Sequence, residues 1–476
     1  MMTGRLLRWG SGALLSLAII VAQPGPARAE TLADALSSAY INSGLLQQNR
    51  ALLRAADEDV AQAVSNLRPI IDWTTDITRD FQRSRSGVSN SFISGATGNA
   101  ETTANIGITG SLLLYDFKRS DFLTEAAKET VLAMRETLRS VEQAVLLTAV
   151  SAYMDVIRNR EFVALRRNNL SLLREELRAA KDRFEVGEVT RTDVAQAESA
   201  VALAQSGLAV AEGDLARAVE EFREAIGREP GELSTPRDLT ALGGDVATAK
   251  ASATQRHPDI KEAQRNVKAA ELNISAAAAA KMPSLSLTGR LAASDQLTGS
   301  GFSRGGSVGV ELRGPLYRGG RLSSLERQAL AQRDQQLARL HLVGLQVRQD
   351  VGNAFADLRA ARAGREANRE AVRAARVAFE GTREEAKLGA RTTLDVLDEE
   401  QNLLDAEANL ISASADVVIA AYSVLAALGE LTAQGLNLDV QTYDPAAYYN
   451  AVKTAPVPSS PQGKKLDRVL RALGKN

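Results

Sequence analysis

The sequence predicts an α+β membrane protein in which long coiled-coil helices carry four transmembrane β-strands per chain. Three observations predict it. The chain says the same thing twice, each copy switches between helical and two-residue periodicity, and an export signal precedes a chain without an apolar run long enough for a membrane helix. Residues 184–198 read FEVGEVTRTDVAQAE and residues 386–400 read AKLGARTTLDVLDEE. Gly187 matches Gly389, and Asp193–Val194 matches Asp395–Val396, at one shift (389 − 187 = 202; 395 − 193 = 202). Leu114–Tyr115 matches Leu316–Tyr317 at that same shift. Arg68–Pro69 matches Met282–Pro283 at 282 − 68 = 214, so the second copy is shorter between these points by 214 − 202 = 12 residues.

The first element is an address. Arg5 and Arg8 give a positive start, Gly12–Ala22 (GALLSLAIIVA) an apolar stretch, and Ala27-Arg28-Ala29 a small-residue cleavage site. Residues 1–29 therefore read as a secretory signal, with the mature chain beginning near Glu30. An uncleaved anchor is disfavoured because the run is short and Pro24 and Pro26 follow it. An exported chain without a membrane helix can cross a membrane only through strands.

The first repeat is expected over 30–226. From Thr31 to about Asn66 the chain is rich in Ala, Leu and charge and lacks proline, which predicts a helix that Pro69 ends. A β-hairpin follows over 70–117. Ile71, Trp73, Ile77 and Phe81 alternate with Asp72, Thr74, Asp76, Thr78 and Asp80, giving one oily and one wet face. The Gly/Ser-rich stretch 83–101 reads as a loop. Alternation then resumes with Ile106, Ile108, Gly110, Leu112 and Leu114. A helical hairpin fills 118–226. Its first arm has no proline or glycine from Ser120 to Val186, and Val145, Leu146, Val150, Tyr153, Met154, Ile157 and Phe162 recur at three- and four-residue spacing. At about 1.5 Å per residue such an arm reaches roughly 100 Å, a length that calls for coiled-coil packing.

A Gly- and Pro-rich linker is expected over 227–250, and the second repeat over 251–430. Its hairpin at 284–317 sets Leu285, Leu287 and Leu291, then Val308, Val310, Leu312 and Leu316, against polar neighbours, with a loop near 294–306. The apolar positions keep the register of the first copy, so both hairpins present the same face to the same medium. The second helical hairpin spans 320–430. The remainder, 431–476, is irregular and ends in the basic amphipathic stretch KKLDRVLRAL.

Composition excludes several functions. There is no cysteine, which removes disulfides, thiolate catalysis, cysteine-ligated zinc and lipobox acylation together. The two histidines, His257 and His341, lack companions at ligand spacing and read as solvated helix residues, so neither a metal nor a cofactor is expected. A net charge of −1 gives no reason to expect nucleic acid. No nucleophile–base pair or phosphate loop marks an enzyme.

Four strands are too few to close a membrane barrel, because the smallest need about eight and an open sheet edge cannot face lipid. Several chains must pool them; three would supply twelve. The bland alternative is a pair of half-buried sheets packed on soluble helices. The signal, the tandem helix–hairpin–helix duplication, the VG/LG…DV tips and the LYDFKRS/LYRGGRL exits together resemble the TolC family of outer-membrane efflux and secretion ducts. The segment TLADALSSAYINSGLLQQNRALLRAADEDVAQA resembles the branch serving type I secretion. The resemblance runs from about 31 to 436. It implies a homotrimer with one twelve-stranded barrel in outer-membrane lipid and a helical barrel projecting through the periplasm. A periplasmic adaptor and an inner-membrane ABC or RND-type transporter are implied as partners, with proteins or small toxic compounds as cargo.

The candidate site lies at the tips of the helical hairpins. Asp395 and Asp398 stand three apart on one face of a returning helix, so threefold repetition would stack two acidic rings that favour cations. Alternatively they cap the helix, a role open to Thr393 or Asp395; from the residues alone both readings stay open. By resemblance, LDVLD matches the family's acidic constriction, and Arg391 is expected to bond Thr192 and Asp193 of the neighbouring hairpin as a latch. Ala386 stands where family members with a well-developed latch carry an aromatic, which puts more weight on Arg391. Val186–Gly187 and Leu388–Gly389 are turns in which glycine permits a left-handed helix end, and the resemblance makes them adaptor-docking grooves. Competing identities are a periplasmic coiled-coil adaptor, which should carry a β-rich lipoyl-like domain instead of matched strand pairs, and a secreted coiled-coil structural protein, which needs no alternating strands.

Overall fold

In the computed structural model, which describes residues 29–84, 97–236 and 245–472, the duplication reaches single elements. The expected signal falls outside these residues except for Ala29. The first copy runs α1 (Leu32–Asn42), α2 (Gly44–Ser65), β1 (Ile70–Ser84), β2 (Thr97–Tyr115), α3 (Arg119–Glu185) and α4 (Arg191–Ile226). The second runs α5 (Val246–Arg256), α6 (Pro258–Ala279), β3 (Ser284–Gln296), β4 (Phe302–Arg313), α7 (Arg321–Lys387) and α8 (Thr393–Leu428). Both short helices begin 214 residues apart in the two copies (246 − 32 and 258 − 44), and both long ones 202 apart (321 − 119 and 393 − 191). The long arms have 67 residues in each copy and the returning arms 36. A tail adds α9 (Pro445–Val452) and α10 (Pro461–Ala472).

Several expectations need correction. The single helix over 31–66 is two helices, broken at Ser43, whose extended backbone (φ −58°, ψ 115°) lets its hydroxyl cap Leu46 N–H instead of continuing the first helix. In the second copy His257 and Pro258 make the same break. His257 is therefore not a solvated helix residue: it is nearly buried, its Nδ1 accepts from Asp259 N–H, and burial lowers its pKa. The expected loops at 83–101 and 294–306 partly belong to strands, because Gly, Ser and Thr pair through their backbones without any alternation to announce it; residues 85–96 lie outside the described chain. Helix α5 also starts inside the expected linker. Finally, α3 and α8 do contain 18-residue windows as apolar as a membrane span. Both windows turn residues into the bundle, Val150 and Tyr153 in α3 and Val417 and Val424 in α8, the α3 window more fully than the α8 one.

The four strands form one antiparallel sheet in the order β1-β2-β3-β4. Residues directly opposite one another share a face. Trp73 lies opposite Ile108, Ile108 opposite Leu291, and Leu291 opposite Gly306. One row along, Ile71, Gly110, Gly289 and Val308 align. Both hairpins thus contribute to one continuous apolar face, and it is bare: Trp73 is 73% exposed, Phe81 78% and Val308 82%. The other face carries rows such as Asp72, Thr109, Arg290 and Ser307. Aromatic residues mark both ends of the oily face, with Phe81 and Phe302 toward the loops and Tyr115, Phe117 and Tyr317 toward the helices, all exposed. From Ile71 to Phe81, ten residues at about 3.4 Å and a tilt of about 40° give a height near ~26 Å, the thickness of the apolar band of an outer-membrane barrel.

The principal core gathers α1, α2, the middle of α3, the ends of α4 and α8, and the tail, around fully buried Leu53, Leu146, Tyr153, Phe222 and Leu431. Tyr153 Oη lies within hydrogen-bond distance of the carbonyls of Glu30 (2.9 Å) and Ser234 (2.6 Å), tying the segment before α1 to the linker. Apart from the end of α8, the described residues of the second copy form smaller clusters, such as Ala253, Ile260, Val347 and Val351.

Candidate functional site at the helical tips

Each long arm ends by the same physics. Gly187 (φ +78°) and Gly389 (φ +76°) take the left-handed conformation that side-chain-bearing residues avoid. In the first tip Gly187 N–H bonds Phe184 O and Glu188 N–H bonds Arg183 O; in the second, Gly389 N–H bonds Ala386 O and Ala390 N–H bonds Glu385 O. These are the paired closing bonds of a glycine-terminated helix. Val186 and Leu388, just before the glycines, stand exposed.

Each returning arm then starts with a capping box. Thr190 Oγ1 accepts from Asp193 N–H (3.3 Å), while Asp193 Oδ2 accepts from Thr190 N–H and its hydroxyl (both 2.8 Å). Thr392 and Asp395 repeat this at 2.9 to 3.2 Å. The N-cap is therefore Thr392, not Thr393 or Asp395 as the sequence suggested; Asp395 is the third helical residue reaching back. These bonds, first to the backbone N–H and then to the hydroxyl, hold both carboxyls below the usual aspartate range. All of Asp395's capping bonds go to Oδ2, so Oδ1 is not part of the cap. Asp398 lies one turn further on and is exposed.

The two tips flank an open cleft of about 810 Å³ that both Asp193 and Arg391 line, while Thr192 stays exposed outside its lining. Within the single chain, Arg391 Nε donates to Glu385 Oε2 of its own hairpin (2.9 Å) and makes no bond to Thr192 or Asp193.

Above the tips lie residues the sequence reading missed. In the first hairpin, Lys181 pairs with Glu198 across its two arms (2.8 Å). Their counterparts at the 202 shift are Arg383 and Glu400 (383 − 181; 400 − 198), yet these do not pair with each other. Arg383 instead reaches Glu176 of α3 (3.0 Å), and Asn169 Nδ2 of α3 donates to Glu400 Oε1 (2.7 Å). Glu400 is 4% exposed, and its Oε2 has no hydrogen-bond partner. Burial, reinforced by the neighbouring Glu176 charge, raises its pKa to about 7. The matched shift of Lys181/Arg383 and Glu198/Glu400 was the available signal.

The family profile described as outer membrane efflux protein matches residues 35–228 and 251–430, both copies of the duplication. The chain belongs to this family. It is 38% identical over 444 residues to the outer membrane efflux protein BepC of Brucella suis biovar 1 (strain 1330), covering 92% of this chain and 94% of that protein. It is 25% identical to the outer membrane protein TolC of Escherichia coli (strain K12), covering 86% and 84%. Among solved structures, the Campylobacter jejuni CmeC outer membrane channel superimposes with a TM-score of 0.72 at 15% identity, over 89% of each chain. The protein thus resides in the outer membrane as an efflux-family channel, a family of ducts rather than of enzymes, and the adaptor and secreted-scaffold readings find no support. In such a channel the bare apolar face of β1–β4 is the lipid-facing surface, and the helical tips are the far, periplasmic end.

Proposed function

We propose that the chain works as a homotrimeric exit duct, passing proteins or small toxic compounds from an inner-membrane ABC or RND-type transporter, through a periplasmic adaptor, to the outside. One observation carries the trimer: the four-stranded sheet has bare edges on β1 and β4 and a bare apolar face. In lipid such edges are forbidden, and three copies closing into twelve strands remove them. In the trimer Arg391 leaves Glu385 or shares it, and latches Thr192 and Asp193 of the neighbouring chain; a guanidinium grips a carboxylate through two bonds, which suits a reversible contact. Asp395, through its free Oδ1, and Asp398 line the closed end as two acidic rings. The exposed Val186–Gly187 and Leu388–Gly389 turns receive the adaptor. The domain reading is the same one: two ducts-in-half, 30–226 and 251–430, joined by 227–250 and strapped by 431–476.

The test is conductance of the reconstituted protein in a planar bilayer. Arg391→Ser should raise conductance, and an unchanged value would falsify the latch. Asp398→Asn, which spares the cap, should weaken cation selectivity and block by multivalent cations. If it does not, Asp398 is not on the conduction path.

A further inference from the structure

The tail climbs. Tyr443 lies against Tyr40 and Arg50, its N–H donating to Tyr40 Oη (3.1 Å) and its ring 5.3 Å under the Arg50 guanidinium. Tyr448 Oη donates to Glu58 (2.7 Å), and Arg68 donates to the carbonyls of Thr454 and Ala455. Partner numbers rise from α1 through α2 to Arg68 as tail numbers rise, so the tail runs from the waist of the bundle to the foot of β1, which starts at Ile70. Gln462 then pins the first turn of α10 back to the end of α9, donating to Ala451 O (2.8 Å) and meeting Thr454 Oγ1 (3.0 Å). Helix α10 therefore begins at the level where the strands leave the membrane, the level that Tyr115, Phe117 and Tyr317 also mark.

At that level α10 presents charge without partners. Lys464, Lys465, Arg468 and Arg471 are exposed, against one acid, Asp467. Among the described residues no carboxylate pairs with any of the four cations. The sequence places Leu466, Val469 and Leu470 at i, i+3 and i+4, with the cations on the remaining positions. Twelve residues at about 1.5 Å make a helix of roughly 18 Å, short enough to lie flat beneath the strands. A second copy of α10 carries the same charge and would repel it. An anionic bilayer surface answers both the cations and the apolar spacing.

We infer that α10 is an interfacial helix that lies on the anionic phospholipid surface at the periplasmic foot of the barrel and fastens the tail there.

The absence of native cysteine allows a clean test. Leu466→Cys, spin-labelled, is reconstituted as the full-length protein into bilayers containing phosphatidylglycerol or phosphatidylcholine alone. In phosphatidylglycerol the label should collide with oxygen in preference to a water-soluble nickel chelate. That preference should fall by on the order of tenfold in phosphatidylcholine, or when all four cations become glutamine. These positions are exposed, so the variants leave the bundle intact. A label open to the chelate in phosphatidylglycerol overturns the proposal. So does one shielded from both reagents, which would mean that α10 packs against protein.

Discussion

The two helical hairpins have the same backbone and different wiring. Each has a 67-residue arm, a left-handed glycine, a Thr–Asp capping box and a 36-residue return. In the first, Lys181 and Glu198 satisfy each other in solvent. In the second, the residues at the same places turn away from each other and bind α3 of the first hairpin, through Arg383–Glu176 and Glu400–Asn169. Duplication preserved what sets shape, the glycines and caps. What diverged is charge placement, and it diverged so as to join the second hairpin to the first. The same asymmetry holds in the core, which the first copy dominates. The second copy bares Leu330, Leu337, Leu342 and Leu345 along α7.

The largest expected effect tests the core. Tyr153 and Phe355 are equivalent (355 − 153 = 202), but Tyr153 is fully buried and Phe355 only partly. Tyr153→Ala should cost about 3–5 kcal/mol, since it opens a cavity in the core and removes the hydroxyl that meets the Ser234 carbonyl. Phe355→Ala should cost clearly less in thermal unfolding of the detergent-solubilised protein. Equal losses would mean that assembly buries the second copy as deeply as folding buries the first.

Next comes the buried carboxyl. With its pKa raised from 4.5 to about 7, Glu400 favours packing of the second hairpin on α3 while protonated. That contribution is complete below about pH 4.5 and is lost as pH rises to about 7, at about 1.4 kcal/mol per pH unit. The groups facing it are Glu176 and Arg383, beside the neutral Asn169. Glu400→Gln keeps a carbonyl to accept from Asn169 and removes the titration. Melting temperature between pH 5 and 8 should therefore slope downward in the parent and flatten in the variant. Parallel curves would assign the pH response elsewhere.

The caps are expected to count equally in both copies. Thr190→Ala and Thr392→Ala should each cost about 1 kcal/mol. Amide exchange in the first turns of α4 and α8 should then quicken roughly fivefold. A large difference between the two would show that assembly strains one tip.

How much of this was legible follows from how far each signal reaches along the chain. Strand faces could be read because Ile71 and Trp73, or Leu285 and Leu287, alternate within a few residues. Helix lengths could be read because α3 has no breaker and Gly187 stops it. The break at Ser43 was not legible, since a serine hydroxyl competes with the helix only when the chain already bends there. The burial of His257 was hidden for the same reason, as its cap role depends on Pro258 and on packing near Ala426. The partner of Glu400 was beyond reach too: Asn169 lies 231 residues away, and only the fold brings them together.

The smallest expected effect decides whether the rewiring matters. Glu198 is half-exposed and its pair with Lys181 is solvated, so Glu198→Gln should change stability by only about 0–1 kcal/mol. It should also leave the pH slope and conductance as they were, because the pair joins two arms that α3–α4 packing already holds. Glu400→Gln alters the contact between the two hairpins of one chain, where Asn169 of α3 meets α8. If Glu198→Gln shifts conductance as much as Glu400→Gln does, the hairpins open by loosening their own arms, and the links to α3 are ordinary packing. If only Glu400→Gln does so, the divergence between the two copies is itself the gate's inner hinge.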